Sequence, residues 1–237
     1  MQALIDADTP VYVSALASED EAEYSAKRYL DNYILNIIKD SGCSSYSLFV
    51  SGTGNFRKEI DHTYKENRKN KPEPKYREML RQHLIKEWGA FECNGYEADD
   101  GCGIHQESDG STIICGIDKD LLQIPGLHYQ WPIIRKGVVQ RPALFHNISV
   151  EQGWRNLFAQ VLTGDTSDNI RGVPGIGPKK ATSILAECKT EEEMYNVCLE
   201  QYINSGVGKE IFDKHLDLLY ILRELGITYN IRKIIYG

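Results

Sequence analysis

The segment Ala3–Asp8, which reads Ala-Leu-Ile-Asp-Ala-Asp, predicts a short buried strand that ends in carboxylates. Apolar runs at 47–50 and 112–117 predict two further buried strands. Apolar residues recur at helical spacing over about 18–39 and from 72 to 88. This alternation of strands and helices is typical of an α/β fold with a mostly parallel central sheet.

Acidic residues follow predicted strands or begin predicted helices at four places along the chain. The clusters are Asp6 with Asp8, Glu97 with Asp99 and Asp100, Asp118 with Asp120, and Asp165 with Asp168. Ligands bind outside the carboxyl ends of parallel strands, so these clusters can converge there. Crowded carboxylates repel one another, and hard divalent cations such as Mg²⁺ remove that cost. A single pair can equally be a turn or a helix cap, Asp8 above all, but four clusters favour a two-metal site for phosphodiester cleavage.

The length of 237 residues predicts one domain, or one domain with a small appendage. Lys and Arg number 27 against 34 Asp and Glu, and the resulting net charge of −7 by itself argues against a nucleic-acid partner. None of the six cysteines forms a Cys-x-x-Cys pair, so we expect neither a zinc site nor a disulfide scaffold. No signal peptide or membrane span is predicted, and we expect a soluble, monomeric protein of the cytoplasm.

Positive charge is concentrated in residues 57–81, where nine basic minus five acidic side chains give +4 and leave −11 for the rest of the chain. The basic residues are Arg57, Lys58, Lys65, Arg68, Lys69, Lys71, Lys75, Arg77 and Arg81. A solvated helix face is the ordinary explanation of such a run. Tyr64 lies among these cations, however, and an aromatic ring can stack on an unpaired base while cations hold phosphates.

A turn at residues 172–178, which reads Gly-Val-Pro-Gly-Ile-Gly-Pro, precedes a predicted helix. Backbone N–H groups and the dipole at such a helix start can bind a phosphate, and Lys179 and Lys180 add positive charge there. The Walker A pattern is absent. A plain turn between two helices is the alternative interpretation.

The C-terminal third is predicted to be helical. Ser149 with Gln152 and Thr190 with Glu193 form candidate capping boxes, each of which marks the start of a helix. A last helix is predicted over about 208–225, where apolar residues recur at helical spacing. We therefore expect a helical subdomain after the α/β part of the chain.

Six motifs follow one another along the chain. They are Leu4-Ile5-Asp6, Tyr64-Lys65-x-Asn67-Arg68, Tyr96-Glu97-Ala98-Asp99-Asp100, Asp118-Lys119-Asp120-Leu121, Gly164-Asp165-x-x-Asp168-Asn169-Ile170 and Gly172-Val173-Pro174-Gly175-Ile176-Gly177-x-Lys179-x-Ala181. The ordered set resembles the 5′-nuclease (flap endonuclease) superfamily, in particular bacteriophage 5′–3′ exonucleases and the 5′-nuclease domain of bacterial DNA polymerase I. The resemblance implies a PIN-like core at 1–148, with a basic helical clamp at about 57–90. It also implies a helix–three-turn–helix DNA-binding subdomain at 149–237.

The resemblance further implies roles for individual residues. Two Mg²⁺ or Mn²⁺ ions would be bound by Asp6, Glu97, Asp99, Asp100, Asp118, Asp120, Asp165 and Asp168. Lys65 and Arg68 would contact the scissile phosphate, and Tyr64 would lie near the terminal base. DNA would be bound by Arg57, Lys69, Lys71, Gly175, Gly177, Lys179 and Lys180. The backbone carbonyls of Val173 and Ile176 would bind K⁺.

The resulting hypothesis is a metal-dependent 5′–3′ exonuclease with structure-specific flap endonuclease activity. It would act on DNA with 5′ ends or flaps, alongside replication proteins. One family feature is missing, because the second strand, which usually ends in an Asp, here ends at Ser51-Gly52. Two alternatives stay open: a DNA-structure-binding protein with weakened catalysis, and a PIN-type ribonuclease, which the glycine turn disfavours.

Overall fold

The computed structural model describes residues 1–69 and 72–236. The helices are α1 (Asp8–Ala17), α2 (Glu23–Ser41), α3 (Arg57–Ile60), α4 (Arg77–Trp88), α5 (Ala98–His105), α6 (Val150–Thr163), α7 (Pro178–Leu185), α8 (Glu191–Asn204), α9 (Lys209–Leu219) and α10 (Tyr229–Tyr236). The strands are β1 (Gln2–Asp6), β2 (Ser45–Ser51), β3 (Phe91–Cys93), β4 (Thr112–Cys115), β5 (Gly126–Gln130), β6 (Ile133–Arg135), β7 (Val138–Arg141), β8 (Leu144–Ile148), β9 (Gly164–Asp165) and β10 (Ile170–Arg171).

The chain divides into two compact units. Unit 1 comprises Met1–Asn55, Pro72–Leu121 and Gly126–Asn147. Unit 2 comprises the described parts of Phe56–Lys71, Leu122–Pro125 and Ile148–Gly237. The sequence assigned residues 57–90 to the first domain as one clamp, whereas here the part up to residue 69 groups with unit 2 and α4 groups with unit 1.

Unit 1 is built around a six-stranded sheet in the order β3-β2-β1-β4-β5-β8. The pairs β3–β2, β2–β1, β1–β4 and β4–β5 are parallel, which confirms the predicted α/β fold. In this register Asp6 lies opposite Phe49 of β2, and Ile5 lies opposite Cys115 of β4. The carboxyl end of β1 is therefore flanked by those of β2 and β4, the place at which open parallel sheets bind ligands.

The apolar core of unit 1 joins the sheet to its helices. Ile34, Leu48 and Ile113 come from α2, β2 and β4, and all are at most 2% exposed. The periodicity of the sequence predicted α2 and α4 but not α1. The buried positions of α1 include Pro10 and Ser14, so no apolar stripe marks that helix in the sequence.

Unit 2 is mainly helical, as predicted. Thr190 and Glu193 form the expected reciprocal capping box at the start of α8. At the start of α6 the hydroxyl of Ser149 accepts a hydrogen bond from the Gln152 backbone N–H at 3.1 Å. No helix in the described part of the chain is long and apolar enough to cross a bilayer.

The predicted last helix ends early, at the end of α9. Gln123 donates to the carbonyl of Leu219 at 3.0 Å and accepts from the N–H of Ile221 at 2.9 Å. This buried side chain thus replaces the backbone bonds of a further helical turn. Gln123 lies about a hundred residues before α9, so helical periodicity could not predict this end.

A buried histidine makes the stability of unit 2 depend on pH. His215 Nδ1 lies 2.9 Å from the hydroxyl of Tyr202, which donates to the carbonyl of Val161. Burial lowers the pKa of His215 from 6.5 to about 4, and the positive charge of Lys214 lowers it to a lesser extent. The negative charge of Asp61 raises this pKa slightly and does not outweigh the other two effects. The unfolded chain therefore binds the proton more readily than the folded one. As the pH falls from about 6.5 to about 4, we expect a loss of up to about 3 kcal/mol of unfolding free energy.

Urea unfolding at several pH values in this window measures the effect. In His215→Gln, which cannot take up the proton, the loss of stability between pH 6.5 and 4 should be smaller than in the wild type. His62→Gln is the matched control, because His62 is exposed. A pH dependence that is the same in His215→Gln and in the wild type would contradict the assignment to His215.

Candidate active site

Acidic side chains gather in unit 1 at the carboxyl end of β1 and the start of α5. Asp6 is 8% exposed and Asp100 is completely buried. Burial raises the pKa of the Cys102 thiol well above its usual range, and the carboxylates of Asp6 and Asp99 raise it further. Because one thiol is affected by carboxylates from both β1 and α5, these groups share one neighbourhood.

A second thiol, that of Cys93 at the end of β3, is affected by the same acidic region. Burial is the main reason that the pKa of the Cys93 thiol is raised to about 12, and the carboxylates of Asp8, Asp100 and Asp99 raise it further. A hydrogen bond with Tyr96 acts in the opposite direction and lowers this pKa. Asp8, for which the sequence left a structural role open, therefore lies with the acidic residues of α5.

The start of α5 is held by its own acidic residues. Glu97 and Asp100 form a reciprocal capping box, in which the Glu97 N–H donates to Asp100 Oδ2 at 3.0 Å. Asp99 Oδ1 accepts from the Asp100 N–H at 2.7 Å. The N–H groups and the dipole at this helix start stabilise negative charge, which offsets part of the repulsion among the carboxylates.

Ser51, at the end of β2, links the start of α1 to the start of α5. Its N–H donates to Asp8 Oδ1 at 3.0 Å, and its hydroxyl accepts from the N–H of Ala98 at 3.0 Å. Ser51 is therefore part of the structure that positions α5. Asp8, on the other side of this bond, supplies a carboxylate beside the end of β2.

Gly52, the next residue, has no room for a side chain. A Cβ at this position would lie 2.9 Å from the carbonyl oxygen of Cys93 and even closer to the side-chain oxygen of Asn94. That same Asn94 oxygen accepts from the Thr53 N–H at 3.0 Å. The side-chain amide of Asn94 thus occupies the space next to the end of β2.

Asp118 and Asp120 follow β4 and form a tight local turn. Asp118 Oδ1 accepts from the Asp120 N–H at 3.0 Å. Lys119 Nζ lies 3.9 Å from Asp120 Oδ1. This turn extends from the strand next to β1, so it belongs to the same edge of the unit 1 sheet.

The chemistry of the acidic donors fits a hard divalent cation. All of them offer oxygen, the donor that Mg²⁺ and Mn²⁺ prefer, and Asp6 and Asp100 are buried where negative charge is costly without a counter-ion. Within residues 1–69 and 72–236, no three carboxylate, imidazole or thiol side chains are close enough together to hold a metal ion.

A separate cluster forms in unit 2 around Asp168. Arg68 Nη2 donates to Asp168 Oδ1 at 2.7 Å, and the hydroxyl of Tyr64 donates to Asp168 Oδ2 at 2.9 Å. Lys65 Nζ lies 3.7 Å from the same carboxylate, and the Lys65 N–H donates to the Asp168 carbonyl at 3.0 Å. Two motifs that are about a hundred residues apart in sequence therefore meet at one carboxylate.

Two asparagines, to which the sequence assigned no role, tie the same segments together. Asn67 donates to the carbonyl of Thr166 at 2.6 Å, and Asn169 donates to the carbonyl of Thr63 at 2.9 Å. Each asparagine lies inside one of the quoted motifs. Their position in those motifs was the available signal, because nothing else in the sequence distinguishes them from solvent-exposed amides.

The structure places two other predicted site residues away from the solvent. Arg57 is 2% exposed, and its guanidinium donates to the carbonyls of Leu218 and Tyr220 at 2.8 and 2.9 Å. The DNA contact predicted for Arg57 is therefore wrong, because this side chain holds the end of α9 inside unit 2. Tyr64 is 3% exposed, with its hydroxyl directed to Asp168 rather than to a surface.

Asp165 and Lys69 are the remaining predicted residues near this cluster. Asp165 is 7% exposed and accepts from the Ser167 N–H at 2.7 Å and from Gln160 at 3.2 Å. Lys69 is exposed and pairs with Glu66 at 3.0 Å. Lys71, another predicted DNA contact, lies outside the described residues.

The glycine turn connects β10 to α7. Gly175 has φ +75°, and Gly177 is the N-cap before Pro178, the first residue of α7. The carbonyl of Val173 accepts from the Ile176 N–H at 3.1 Å. Lys179 and Lys180 are exposed in the first turn of α7. This arrangement is the one the sequence predicted, a tight turn followed by a helix start with exposed cations.

The chain matches two family descriptions. Residues 4–145 match the "5'-3' exonuclease, N-terminal resolvase-like domain", and residues 157–230 match the "5'-3' exonuclease, C-terminal SAM fold". Together these matches cover the acidic region of unit 1 and most of the helical part of unit 2.

Two proteins with related sequences illustrate the similarity. DNA polymerase I of Bacillus caldotenax is 32% identical over 192 residues, which are 75% of this chain and 21% of that protein. The flap endonuclease Xni of Shewanella baltica is 27% identical over 188 residues, 75% of this chain and 71% of Xni. The chain spans about a fifth of the length of the DNA polymerase I relative.

The fold is similar to that of the bacteriophage T5 flap endonuclease, solved with DNA and metal ions. The TM-score is 0.66 at 17% sequence identity, over 92% of this chain and 88% of the T5 protein. At this level of identity the likeness establishes the shared fold.

Proposed function

On the premise that this chain belongs to the 5′–3′ exonuclease family, we propose that it hydrolyses DNA phosphodiester bonds at 5′ ends and 5′ flaps with divalent metal ions. The observation that carries the proposal is the acidic neighbourhood of unit 1, in which the buried Asp6 lies near the thiol of Cys102, Asp8 and the buried Asp100 lie near that of Cys93, and Asp99 lies near both. Carboxylates this close together repel one another, and a divalent cation bound by their oxygen atoms neutralises that repulsion.

Each cation, Mg²⁺ or Mn²⁺, would be held by one or two carboxylates from the set Asp6, Asp99, Asp100, Asp118 and Asp120, with waters completing its coordination, since no three such groups of the described residues are close enough to hold one ion. When bound, they supply an activated water and stabilise charge on the leaving oxygen. The capping box keeps Asp100 fixed in position, since its carboxylate also accepts from the Glu97 N–H. Glu97, Asp165 and Asp168 would act mainly by positioning, because Glu97 caps α5, Asp165 holds its own turn through the Ser167 N–H, and Asp168 holds Arg68.

Lys65 and Arg68 would provide fixed positive charge for the scissile phosphate. The Arg68 side chain is 50% exposed and that of Lys65 is 20% exposed, so both retain surface for a ligand while Asp168 holds them. Cations held in place before the reaction stabilise developing negative charge without first having to reorient. Tyr64 would act through Asp168, because its hydroxyl donates to that carboxylate.

The glycine turn would hold the backbone of duplex DNA. Gly175 and Gly177 have no heavy atom within 4 Å of where a Cβ would lie, so a phosphate can approach the backbone there. Lys179 and Lys180 would add charge, and carbonyls at Val173 and Ile176 would take K⁺. Duplex binding at this turn is the reason to prefer DNA over the RNA of a PIN-type ribonuclease.

A cleavage assay tests the proposal. Flap and blunt duplex DNA, each labelled at the 5′ end, and an RNA strand of the same sequence are incubated with the protein in Mg²⁺, Mn²⁺ or EDTA. We expect metal-dependent release of short 5′ products from DNA and none from RNA. Cleavage of RNA alone would favour the ribonuclease.

A second candidate function rests on Ser51. Because this residue replaces the usual carboxylate at the end of β2, the chain could bind flap DNA without cutting it. Binding with no cleavage in either metal would establish that function and overturn the nuclease.

A further inference from the structure

The β6–β7 hairpin of unit 1 is not used by the proposed function. Arg135 pairs with Val138 across a two-residue turn of Lys136 and Gly137, whose φ angles are +49° and +75°. Two positive φ values are typical of the tight hairpin turn that Asn-Gly favours. A lysine in this left-handed conformation is strained, and such positions often carry a function.

The hairpin exposes branched apolar side chains on its strands. Ile134 and Val139 are directly opposite each other in the antiparallel pair and are 58% and 57% exposed. Val138, on the opposite face, is 60% exposed. Since three aliphatic side chains near one turn remain in contact with water, both faces of the hairpin tip are available to a partner.

The charge around the hairpin differs from that of the rest of the chain. Residues 121–150 contain three cations, Arg135, Lys136 and Arg141, and no Asp or Glu. With a total of −7, this leaves −10 for the remaining residues. In the described chain, no carboxylate pairs with Arg135 or Lys136. The tip thus presents unneutralised positive charge beside apolar surface.

We propose that the β6–β7 hairpin is a further DNA contact, in which Arg135 and Lys136 bind backbone phosphates and Ile134 and Val139 pack on sugars and base edges. Cations that no carboxylate of the described residues neutralises fit a polyanion. Apolar side chains beside such cations are the combination with which proteins enter the minor groove of DNA. A second copy of this chain fits less well, because a two-fold contact through the tips would bring four cations together.

This inference rests on the proposed function, as it assigns a further contact to the same substrate. The test measures the affinity for labelled flap DNA by fluorescence anisotropy in EDTA, at salt concentrations from about 50 to about 200 mM. Arg135→Ala/Lys136→Ala should bind more weakly, and the slope of log K against log[salt] should fall by about 1.8, the value for two phosphate contacts. Ile134→Thr/Val139→Thr should bind more weakly with an unchanged slope.

Lys39→Ala/Lys86→Ala is the matched control, because it removes two exposed cations from helices of the same unit. Its slope should equal that of the wild type. If Arg135→Ala/Lys136→Ala has the same salt slope as this control, the hairpin inference is overturned. The proposed function is tested separately, and it stands if the wild type cleaves flap DNA. If Ile134→Thr/Val139→Thr instead converts a dimer to a monomer in sedimentation with unchanged DNA affinity, the hairpin is a self-association surface. A wild type that binds no DNA at any salt concentration overturns both.

Discussion

Asp100→Asn is expected to reduce the rate of metal-dependent DNA cleavage by about 100-fold or more. Asp100 is completely buried and would be a ligand of the catalytic cations in the proposed function. Losing its charge weakens the electrostatic stabilisation of the transition state, and single contributions of this kind are worth about 10²–10³ in rate. The asparagine oxygen can still accept from the Glu97 N–H, so the start of α5 should be preserved.

Three measurements separate this effect from misfolding. Cleavage is followed at saturating Mg²⁺, cation affinity by calorimetry, and DNA binding in EDTA, where the variant should match the wild type. Asp109→Asn is the matched control, since Asp109 also accepts a backbone hydrogen bond, from Ser111 at 2.8 Å, but is exposed. If Asp100→Asn cleaved DNA as fast as Asp109→Asn, Asp100 would have no part in the chemistry.

Gly172→Ala is expected to destabilise unit 2 by at least about 3 kcal/mol. A Cβ at this position would lie closer than 3.0 Å to backbone atoms of Leu162, Thr163 and Gly164. These backbone atoms cannot rotate out of the way of the added methyl group, as the end of a flexible side chain can. The β9–β10 pair would have to separate, and with it the bond from the Val173 N–H to the Leu162 carbonyl at 2.8 Å.

The control for this substitution is Gly177→Ala in the same turn. A Cβ at Gly177 has no heavy atom within 4 Å, so the expected cost is less than about 1 kcal/mol, the difference between Gly and Ala at an N-cap. Urea unfolding measures both variants. Equal midpoints for Gly172→Ala and Gly177→Ala would show that unit 2 adjusts to the added methyl group, contrary to this expectation.

The two glycines show where sequence interpretation reaches its limit. The motif at 172–177 predicted a tight turn that approaches phosphate, and the open surroundings of Gly177 are consistent with that use. Gly172, in the same motif, is needed because the end of α6 passes directly beside it. Both residues are glycines in one short run. Only the packing around each shows that Gly177 is open to a ligand and that Gly172 is required by the neighbouring backbone.

The sequence by itself determined the parallel α/β core and the position of its acidic residues. Apolar runs mark buried strands, and parallel strands place their carboxyl ends at one edge, so Asp6 and Asp118 could be assigned to that edge from local patterns. These features depend on residues close together in the chain, and short-range periodicity carries that information.

Only the tertiary structure decided which distant residues act together. Arg57 and Arg68 belong to one basic run, yet Arg57 is buried against the carbonyls that end α9, whereas Arg68 holds Asp168 and stays half exposed. A guanidinium can be buried wherever carbonyls or carboxylates satisfy its donors. Those partners come from segments a hundred or more residues away, and their arrangement is set by packing rather than by any local pattern.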